Sequence, residues 1–353
     1  VGLEATPNMF KKRCYGGFKH NYQSARILTE IEEKYKEFPG LNVSAQVVEG
    51  VLKHTKLKPT EIALEDFLSK EYREIIHISN DKLQVCSSLE GQVVAIADEI
   101  AQRGHDVDDA LTSGVMTIEE FKDRLRIDKC RELFDRIDKE ISEIEALERL
   151  IPDKKELIIS RIVTVIVNYF IQKTIEHSMI LVDANAGLNR LSFDNNITMV
   201  GFPPEVKRVN DYLEKVVQKK VICNYEVARA DYNASMIVQE LFAKYYKNPR
   251  LLHSGTVHKI FLETLNHPNR EVSNSAIYLS DASIELVNQE IEEITSEKLN
   301  EPLILQYLEN KDYTRDERDI VIFEKRRILI RAITDYIAGM TDGYALEEYD
   351  KLK

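Results

Sequence analysis

The spacing of hydrophobic and polar residues is that of helices along most of the chain. Apolar positions recur every three or four residues, alternating strand patterns are few, and 13 Gly and 9 Pro among 353 residues leave room for long helices. The predicted helices cover approximately residues 18–36, 88–109, 117–141, 205–221, 226–247, 254–264 and 314–339, with a short helix after Ser44 and another, strongly apolar over residues 158–171, after Pro152. The pattern predicts an all-α fold.

Two short segments are candidates for strands. Ile197–Gly201 lies in the most irregular part of the sequence, and Val221–Cys223 is a possible second strand. The expected fold class is therefore a multi-helix fold with at most a minor two-stranded β element. Because no internal repeat or low-complexity linker interrupts the sequence, we expect one unit over residues 1–353, with a core over 1–180 and a C-terminal helical part over 181–353.

The helix over residues 88–109 carries the most informative charge pattern. Five polar side chains fall on one narrow face: Asp98, Gln102, His105, Asp106 and Asp109. Since its other face is apolar, we expect Asp98 to be a buried carboxylate that needs a partner. Carboxylates and an imidazole along one face suit a divalent metal or a sugar phosphate. A solvated face of an amphipathic helix explains the same spacing, and the pattern alone leaves both interpretations open.

Composition narrows the classes of partner. The chain has 48 Lys and Arg against 60 Asp and Glu, a net charge of −12, which disfavours a broad nucleic-acid surface and limits any phosphate site to a local basic pocket. The four cysteines lack CxxC spacing, which fits a reducing cytoplasm. No apolar run approaches the roughly 18 residues of a membrane span, so no membrane partner is expected.

Four segments, in order along the chain, match motifs of one family. They are Gly16–Ser24 (GGFKHNYQS), Leu41–Asn42 with Glu49–His54 (LN and EGVLKH), Ala97–Asp109 (ADEIAQRGHDVDD), and Asp335–Asp342 with Tyr344–Ala345 (DYIAGMTD and YA). The corresponding family patterns are GGFxHNxQS, GLNxT…EGILKH, ADxIA…HDxxD and DYIAGMTDRYA. The chain thus resembles the bacterial deoxyguanosine triphosphate triphosphohydrolases of the HD-domain phosphohydrolase superfamily, over nearly its whole length.

The resemblance implies a fold and a reaction. The fold would be HD-domain-like, and the enzyme would hydrolyse a deoxynucleoside triphosphate to the deoxynucleoside and inorganic triphosphate, with water attacking the α-phosphorus. A divalent metal, one of Mg, Mn, Fe or Co, would polarise the phosphoryl oxygen. Asp98 matches one of its ligands. His20 matches a catalytic position that touches the phosphates, although it could simply cap the helix that follows Gly17.

The remaining site residues are assigned to substrate binding by the same resemblance. Asp106 matches the acceptor for the sugar 3′-hydroxyl, with a solvent-exposed acid at the helix end as the alternative. Lys53 and His54 are expected to contact the triphosphate, or else to complement the dipole of the short helix they end. Gln102 stands where many relatives have tyrosine against the substrate, so the sugar contact and nucleotide preference are open.

The upstream H…HD ligands of the family are absent from this sequence. Val1-Gly2 matches what directly follows them, so we expect the chain to begin within a longer protein; Glu4 is an unassigned acid of the same region. The enzyme would be active only with those ligands. Two alternatives stand: another HD-type nucleotide phosphohydrolase, and a non-catalytic nucleotide-binding regulatory protein.

Assembly and regulation are also implied by the family. Relatives form homo-oligomers, commonly tetramers or hexamers, and some respond to a nucleotide effector at a second site. The charged helix Glu119–Ile141 is a candidate assembly surface, although a solvated face explains its charge pattern equally simply.

Overall fold

The structure is a computed structural model that describes residues 19–32, 34–38, 40–55, 68–75, 85–146, 154–185, 197–253, 256–257, 291–296, 299–310 and 318–353. Glu4, Gly16 and Gly17 lie outside these residues, as does nearly all of the helix predicted over 254–264. The motif segment Gly16–Ser24 is therefore described only from residue 19 onward.

Twelve helices can be delimited within the described residues. They are α1 (His20–Arg26), α2 (Ala45–Lys53), α3 (Lys70–Ile75), α4 (Leu89–Thr112), α5 (Ile118–Leu125), α6 (Arg131–Ala146), α7 (Lys155–Ala184), α8 (Pro204–Ile222), α9 (Tyr225–Lys247), α10 (Glu301–Asn310), α11 (Arg318–Ala338) and α12 (Asp342–Lys351). A wider helical turn, Ile27–Ile31, prolongs α1. No strand occurs among the described residues, which confirms the all-α prediction.

The two predicted strands are wrong. Residues 197–200 are irregular, and Val221 belongs to the last turn of α8. Apolar β-branched residues occur in both segments, but Val221 follows the helical spacing of Val206, Val209 and Leu213, which are buried. The side chain therefore continues an apolar helix face instead of starting a strand.

Local capping sets several helix starts. The Ser88 hydroxyl accepts a hydrogen bond from the Gly91 amide (3.1 Å) at the start of α4, and the Thr117 hydroxyl does the same for the Glu120 amide (3.1 Å) at the start of α5. The latter confirms the predicted N-terminus, but the single helix predicted over 117–141 is wrong. Arg126 leaves helical geometry, and a short 3₁₀ turn, Asp128–Cys130, separates α5 from α6.

The described chain forms two compact units, residues 19–228 and 229–353. In the first, α4 and α7 pack together and against α6 and α8. Their shared core includes Val107, Phe121, Leu133, Ile166, Phe170 and Leu213. A smaller cluster joins α1 to α2 through Tyr22, Ala25, Val48 and Leu52. The boundary expected between residues 180 and 181 falls inside α7.

The second unit has its own apolar clusters. One contains Leu241 and Tyr245 of α9 with Leu329 and Ile333 of α11, and another joins Ile304 of α10 to Phe323 of α11. The Tyr245 hydroxyl donates to a Glu348 carboxylate oxygen of α12 (3.2 Å). This bond links α12, at the C-terminus, to α9.

Helix α7 has the length and apolar composition of a membrane span. Its residues Ile159, Ile162, Ile166 and Phe170 lie in the core of the first unit, and the core helix of a water-soluble protein has the same properties. The length and composition of α7 are therefore weak evidence for a membrane span. The expected lack of a membrane partner stays a prediction.

Candidate functional site

Two of the predicted site histidines lie side by side. His20 begins α1 and His54 directly follows α2, and their Nε2 atoms are 3.1 Å apart. The two helices are held together by the apolar cluster around Tyr22 and Leu52 and by the buried Asn21 amide, which donates to the Leu52 carbonyl (2.6 Å). Residues 34 positions apart in sequence thus present adjacent imidazoles.

The hydrogen bonds define the tautomer of the pair. The Nδ1 of His54 lies 2.7 Å from the Val51 carbonyl oxygen, which can only accept, so Nδ1 carries the proton. In the neutral ring the Nε2 of His54 is then an acceptor, and the Nε2–H of His20 donates to it. Since the His20 side chain is exposed, a solvent-borne ligand can reach this pair.

Lys53 lies next to His54 in sequence but in a different environment. Its side chain has no exposed surface, and its Nζ donates to Glu49 Oε1 at 2.5 Å, with the Val85 carbonyl at 3.5 Å. Glu49 also accepts from the Ser87 amide (3.1 Å) and the Ser87 hydroxyl (2.5 Å). The Lys53 ammonium therefore joins α2 to the segment that precedes α4; its predicted phosphate contact stays a prediction.

Cys86 completes this buried network. Its Sγ lies 3.5 Å from Glu49 Oε2 and 3.5 Å from the Ser88 hydroxyl. Burial raises the pKa of the Cys86 thiol, and the neighbouring Glu49 carboxylate acts in the same direction. The thiol is therefore a neutral packing and hydrogen-bonding group.

The polar face predicted on α4 is divided by the packing of the helix. Asp98, Gln102 and His105 are exposed, so the expectation that Asp98 is buried is wrong. No described residue hydrogen-bonds or ion-pairs with the Asp98 carboxylate. Asp106 lies eight residues further on, about 80° around the helix, and is half-buried beside Arg103. The two carboxylates of the predicted polar face therefore have different surroundings.

Asp106 belongs to a network around a buried arginine. Arg103, 2% exposed, donates from Nη1 to Asp106 (3.0 Å) and from Nε to Asn210 of α8 (2.9 Å), and its Nη2 lies 3.4 Å from Glu214. Asn210 in turn donates to Glu99 (2.7 Å). Burial raises the pKa of the Asp106 carboxyl, while the Arg103 charge opposes this and Asp109 adds to it. The network fixes Asp106 in orientation and leaves about a third of its side chain exposed.

The described residues do not assemble a metal site with three or more protein ligands. No group of three or more His, Cys, Asp or Glu side chains lies close enough to hold an ion within this part of the chain. Asp98 is the only predicted ligand among them, and it does not join His20 and His54 in such a group. The described residues by themselves therefore do not complete the site of the metal that the family implies, and we derive no chemical step through that metal.

The sequence analysis gave no role to several residues of these networks, among them Glu49, Arg103 and Asn210. A signal existed for Glu49, because it precedes Lys53 by four residues, the spacing of a helical ion pair. None existed for Arg103 and Asn210, which are 107 residues apart in sequence and meet only through the packing of α4 on α8.

Comparison with known proteins identifies sequences that are similar to this chain. Residues 200–274 and 295–351 match the phosphohydrolase-associated domain. A deoxyguanosinetriphosphate triphosphohydrolase-like protein of Thiobacillus denitrificans is 32% identical over 241 residues, 68% of this chain and 58% of that protein. A protein of the same name from Bordetella pertussis is 28% identical over 340 residues, 96% of this chain and 65% of that protein.

A third relative of that name, from Geobacter sulfurreducens, is 31% identical over 245 residues, 67% of this chain and 56% of that protein. The matched part of the chain thus spans between 56% and 65% of the length of these three proteins. The likeness runs through both units and agrees with the motifs found in the sequence. The chain belongs to the family of deoxyguanosinetriphosphate triphosphohydrolase-like proteins.

Proposed function

We propose that this chain is part of an HD-type phosphohydrolase that cleaves deoxynucleoside triphosphates into deoxynucleoside and inorganic triphosphate. The observation that carries the proposal is the likeness to relatives named for this reaction, which extends over 96% of the chain in the Bordetella pertussis protein. A purely structural helical protein would share the helical pattern without the four ordered motifs.

The histidine pair supports a phosphate contact on chemical grounds. His20 and His54 come from two separate motif segments, and the first is exposed beside the second. An imidazole N–H at this position would stabilise negative charge on a phosphate oxygen. Because the Lys53 ammonium is buried against Glu49, we assign the phosphate contact first to His20 and His54, and to Lys53 only if its pair with Glu49 opens.

The α4 residues have the remaining proposed roles. We assign Asp98 to the metal and Asp106 to the sugar 3′-hydroxyl, with Gln102 between them on the same helix. The exposure of Asp98 and Gln102 is compatible with contact to groups that come from outside the described residues. A homo-oligomer, a nucleotide effector and a cytoplasmic location complete the proposal, as in the family.

The decisive experiment identifies the product. The full reading frame that contains this chain is incubated with each of the four deoxynucleoside triphosphates and Mg²⁺, Mn²⁺, Fe²⁺ or Co²⁺, and phosphorus NMR distinguishes triphosphate from pyrophosphate and phosphate. We expect inorganic triphosphate and deoxynucleoside. Release of phosphate or pyrophosphate would indicate another HD-type phosphohydrolase. Nucleotide binding without turnover under all conditions would favour the regulatory alternative.

A further inference from the structure

The His20–His54 pair has the geometry of a two-point metal chelate. We propose that the two Nε2 atoms bind a divalent transition-metal ion of the Zn²⁺ or Ni²⁺ type, with water or a phosphate oxygen at its other positions. The inference does not depend on the proposed reaction, and it concerns different side chains from Asp98. The evidence is the distance between the two Nε2 atoms, the packing of α1 against α2 that holds the two histidines, and the hydrogen bond made by Nδ1 of His54.

The Nε2 separation matches that of two ligands on one ion. A metal–nitrogen distance of about 2.05 Å places two imidazole nitrogens about 2.9 Å apart at a right angle and about 3.3 Å apart at the tetrahedral angle. The observed separation is 3.1 Å, and the rings meet at their edges with an interplanar angle of 62° instead of stacking. An ion bound at this separation lies about 1.3 Å from the line between the two nitrogens, so the exposed His20 ring has to turn until both lone pairs point at the ion in place of the shared proton.

A hydrogen bond to the backbone orients His54 for metal binding. The Nδ1–H of His54 donates to the Val51 carbonyl at 2.7 Å, which fixes the ring and leaves the Nε2 lone pair available. A hydrogen bond from the second imidazole nitrogen to a backbone carbonyl is what orients histidine ligands in metal proteins. The Asn21–Leu52 bond and the α1–α2 cluster hold the two backbones at this separation.

The chemistry of the donors selects the class of ion. Imidazole nitrogens favour Zn²⁺, Ni²⁺, Cu²⁺ and Co²⁺ over Mg²⁺ or Ca²⁺, which prefer oxygen ligands. With two protein ligands the ion retains open positions, so an anionic ligand such as a phosphate can complete its coordination. The site would therefore be weak, exchangeable and selective against Mg²⁺.

Calorimetric titration of the tag-free 353-residue chain with NiCl₂ in excess Mg²⁺ tests the proposal. We expect one Ni²⁺ per chain, and an affinity reduced about 10-fold or more in His20→Gln, because a chelate loses one of its two ligands. His54→Gln should behave alike. His105→Gln removes an exposed histidine of α4 and is the matched control, with unchanged affinity.

Two measurements distinguish loss of a metal ligand from loss of folding. His20 is exposed, so His20→Gln should leave the circular dichroism spectrum and melting temperature unchanged. Imidazole NMR of the unaltered protein provides a second measurement, in which one equivalent of Zn²⁺ should shift the signals of both histidines together. Equal Ni²⁺ affinity in the double variant His20→Gln/His54→Gln, or a response of only one imidazole, would overturn the proposal.

Discussion

At the scale of single residues, burial decides what each charged side chain of a motif can do. Lys53 and Asp98 both lie in segments that match the family, but Lys53 has no exposed surface while Asp98 is exposed. The first donates to Glu49, which also accepts from Ser87, and no described residue hydrogen-bonds to the second. Substitutions at these two positions should therefore have opposite effects on folding and on activity.

We predict that Lys53→Met lowers the free energy of unfolding by about 3 kcal/mol, because removing one partner of a buried ion pair leaves the other charge unpaired. Lys70→Met is the matched control, since Lys70 and Glu74 form an exposed i,i+4 pair and its loss should cost about 0.5 kcal/mol or less. Urea denaturation measures both. The double variant Lys53→Met/Glu49→Met should recover much of the lost stability. If Lys53→Met were as stable as the unaltered protein, the result would favour a phosphate contact for Lys53.

For Asp98→Ala we predict a change in stability within about 0.5 kcal/mol, because the side chain is exposed and alanine favours a helix. In the full reading frame the same change should abolish metal-dependent hydrolysis. Asp109→Ala, an exposed acid on the same helix, is the control and should retain turnover. Triphosphate release by Asp98→Ala at the rate of the unaltered protein would contradict the metal assignment.

Thiol reactivity should follow burial as well. Cys130 is buried, and burial raises the pKa of its thiol to about 11, so little reactive thiolate exists at pH 8. Cys223 is exposed. We predict that iodoacetamide at pH 8 labels Cys223 in the folded protein, and Cys86 and Cys130 only after unfolding, as peptide mapping by mass spectrometry would measure. Rapid labelling of Cys130 in the folded protein would contradict its burial.

At the scale of elements, the close packing between the start of α4 and the segment that precedes it depends on Gly91. A methyl group at Gly91 would lie 2.2 Å from Cys86 Sγ and 3.1 Å from the Ser88 hydroxyl, both of the segment that also binds Glu49. At Gly50 of α2 a methyl group would have ordinary contact, with the nearest atom, the Gly91 Cα, at 3.7 Å. Two glycines in facing helices thus have unequal constraints.

We predict that Gly91→Ala destabilises the protein by about 2 kcal/mol through overpacking against Cys86. Gly50→Ala should be neutral or stabilising by up to about 1 kcal/mol, because alanine is the better helix former. Thermal unfolding followed by circular dichroism compares the two. Gly91→Ala/Cys86→Ala should regain part of the loss, and equal effects of the two glycine substitutions would argue against this packing.

At the scale of the whole molecule, the charged helices α5 and α6 are the surface through which the sequence predicts assembly of several copies. The predicted assembly surface Glu119–Ile141 covers parts of α5 and α6, with Lys122 paired to Asp138 (2.6 Å) and Arg136 to Glu132 (2.8 Å). If these surfaces hold protomers together, salt should weaken the contact because it screens exposed charges. The homo-oligomer itself stays a prediction.

We predict that the chain sediments as a tetramer or hexamer at low ionic strength and dissociates when NaCl is raised to about 1 M, where the screening length falls to about 3 Å. Analytical ultracentrifugation at both salt concentrations measures this. An oligomer that persists in high salt would place the contact on an apolar surface, and a monomer in both conditions would contradict the assembly prediction.

The sequence by itself determined the helical character of the chain. Helix propensity, apolar periodicity and caps such as Thr117 act within a few residues, so they can be read locally, as α4, α8 and α9 illustrate. The ordered motifs also pointed to the family. Where local signals were ambiguous, as at Arg126 and Val221, the helix bounds and the strand predictions failed.

Only the tertiary structure decided which side chains meet. The approach of His20 to His54 and the pairing of Arg103 with Asn210 bring together residues that are 34 and 107 positions apart. The burial of Lys53 depends on the segment that precedes α4, whose Val85 carbonyl lies 3.5 Å from its Nζ. The same packing left Asp98 exposed and placed the half-buried Asp106 beside Arg103, a difference that the helix repeat alone does not predict. Periodicity fixes the direction of a side chain on its own helix, whereas packing fixes what lies opposite.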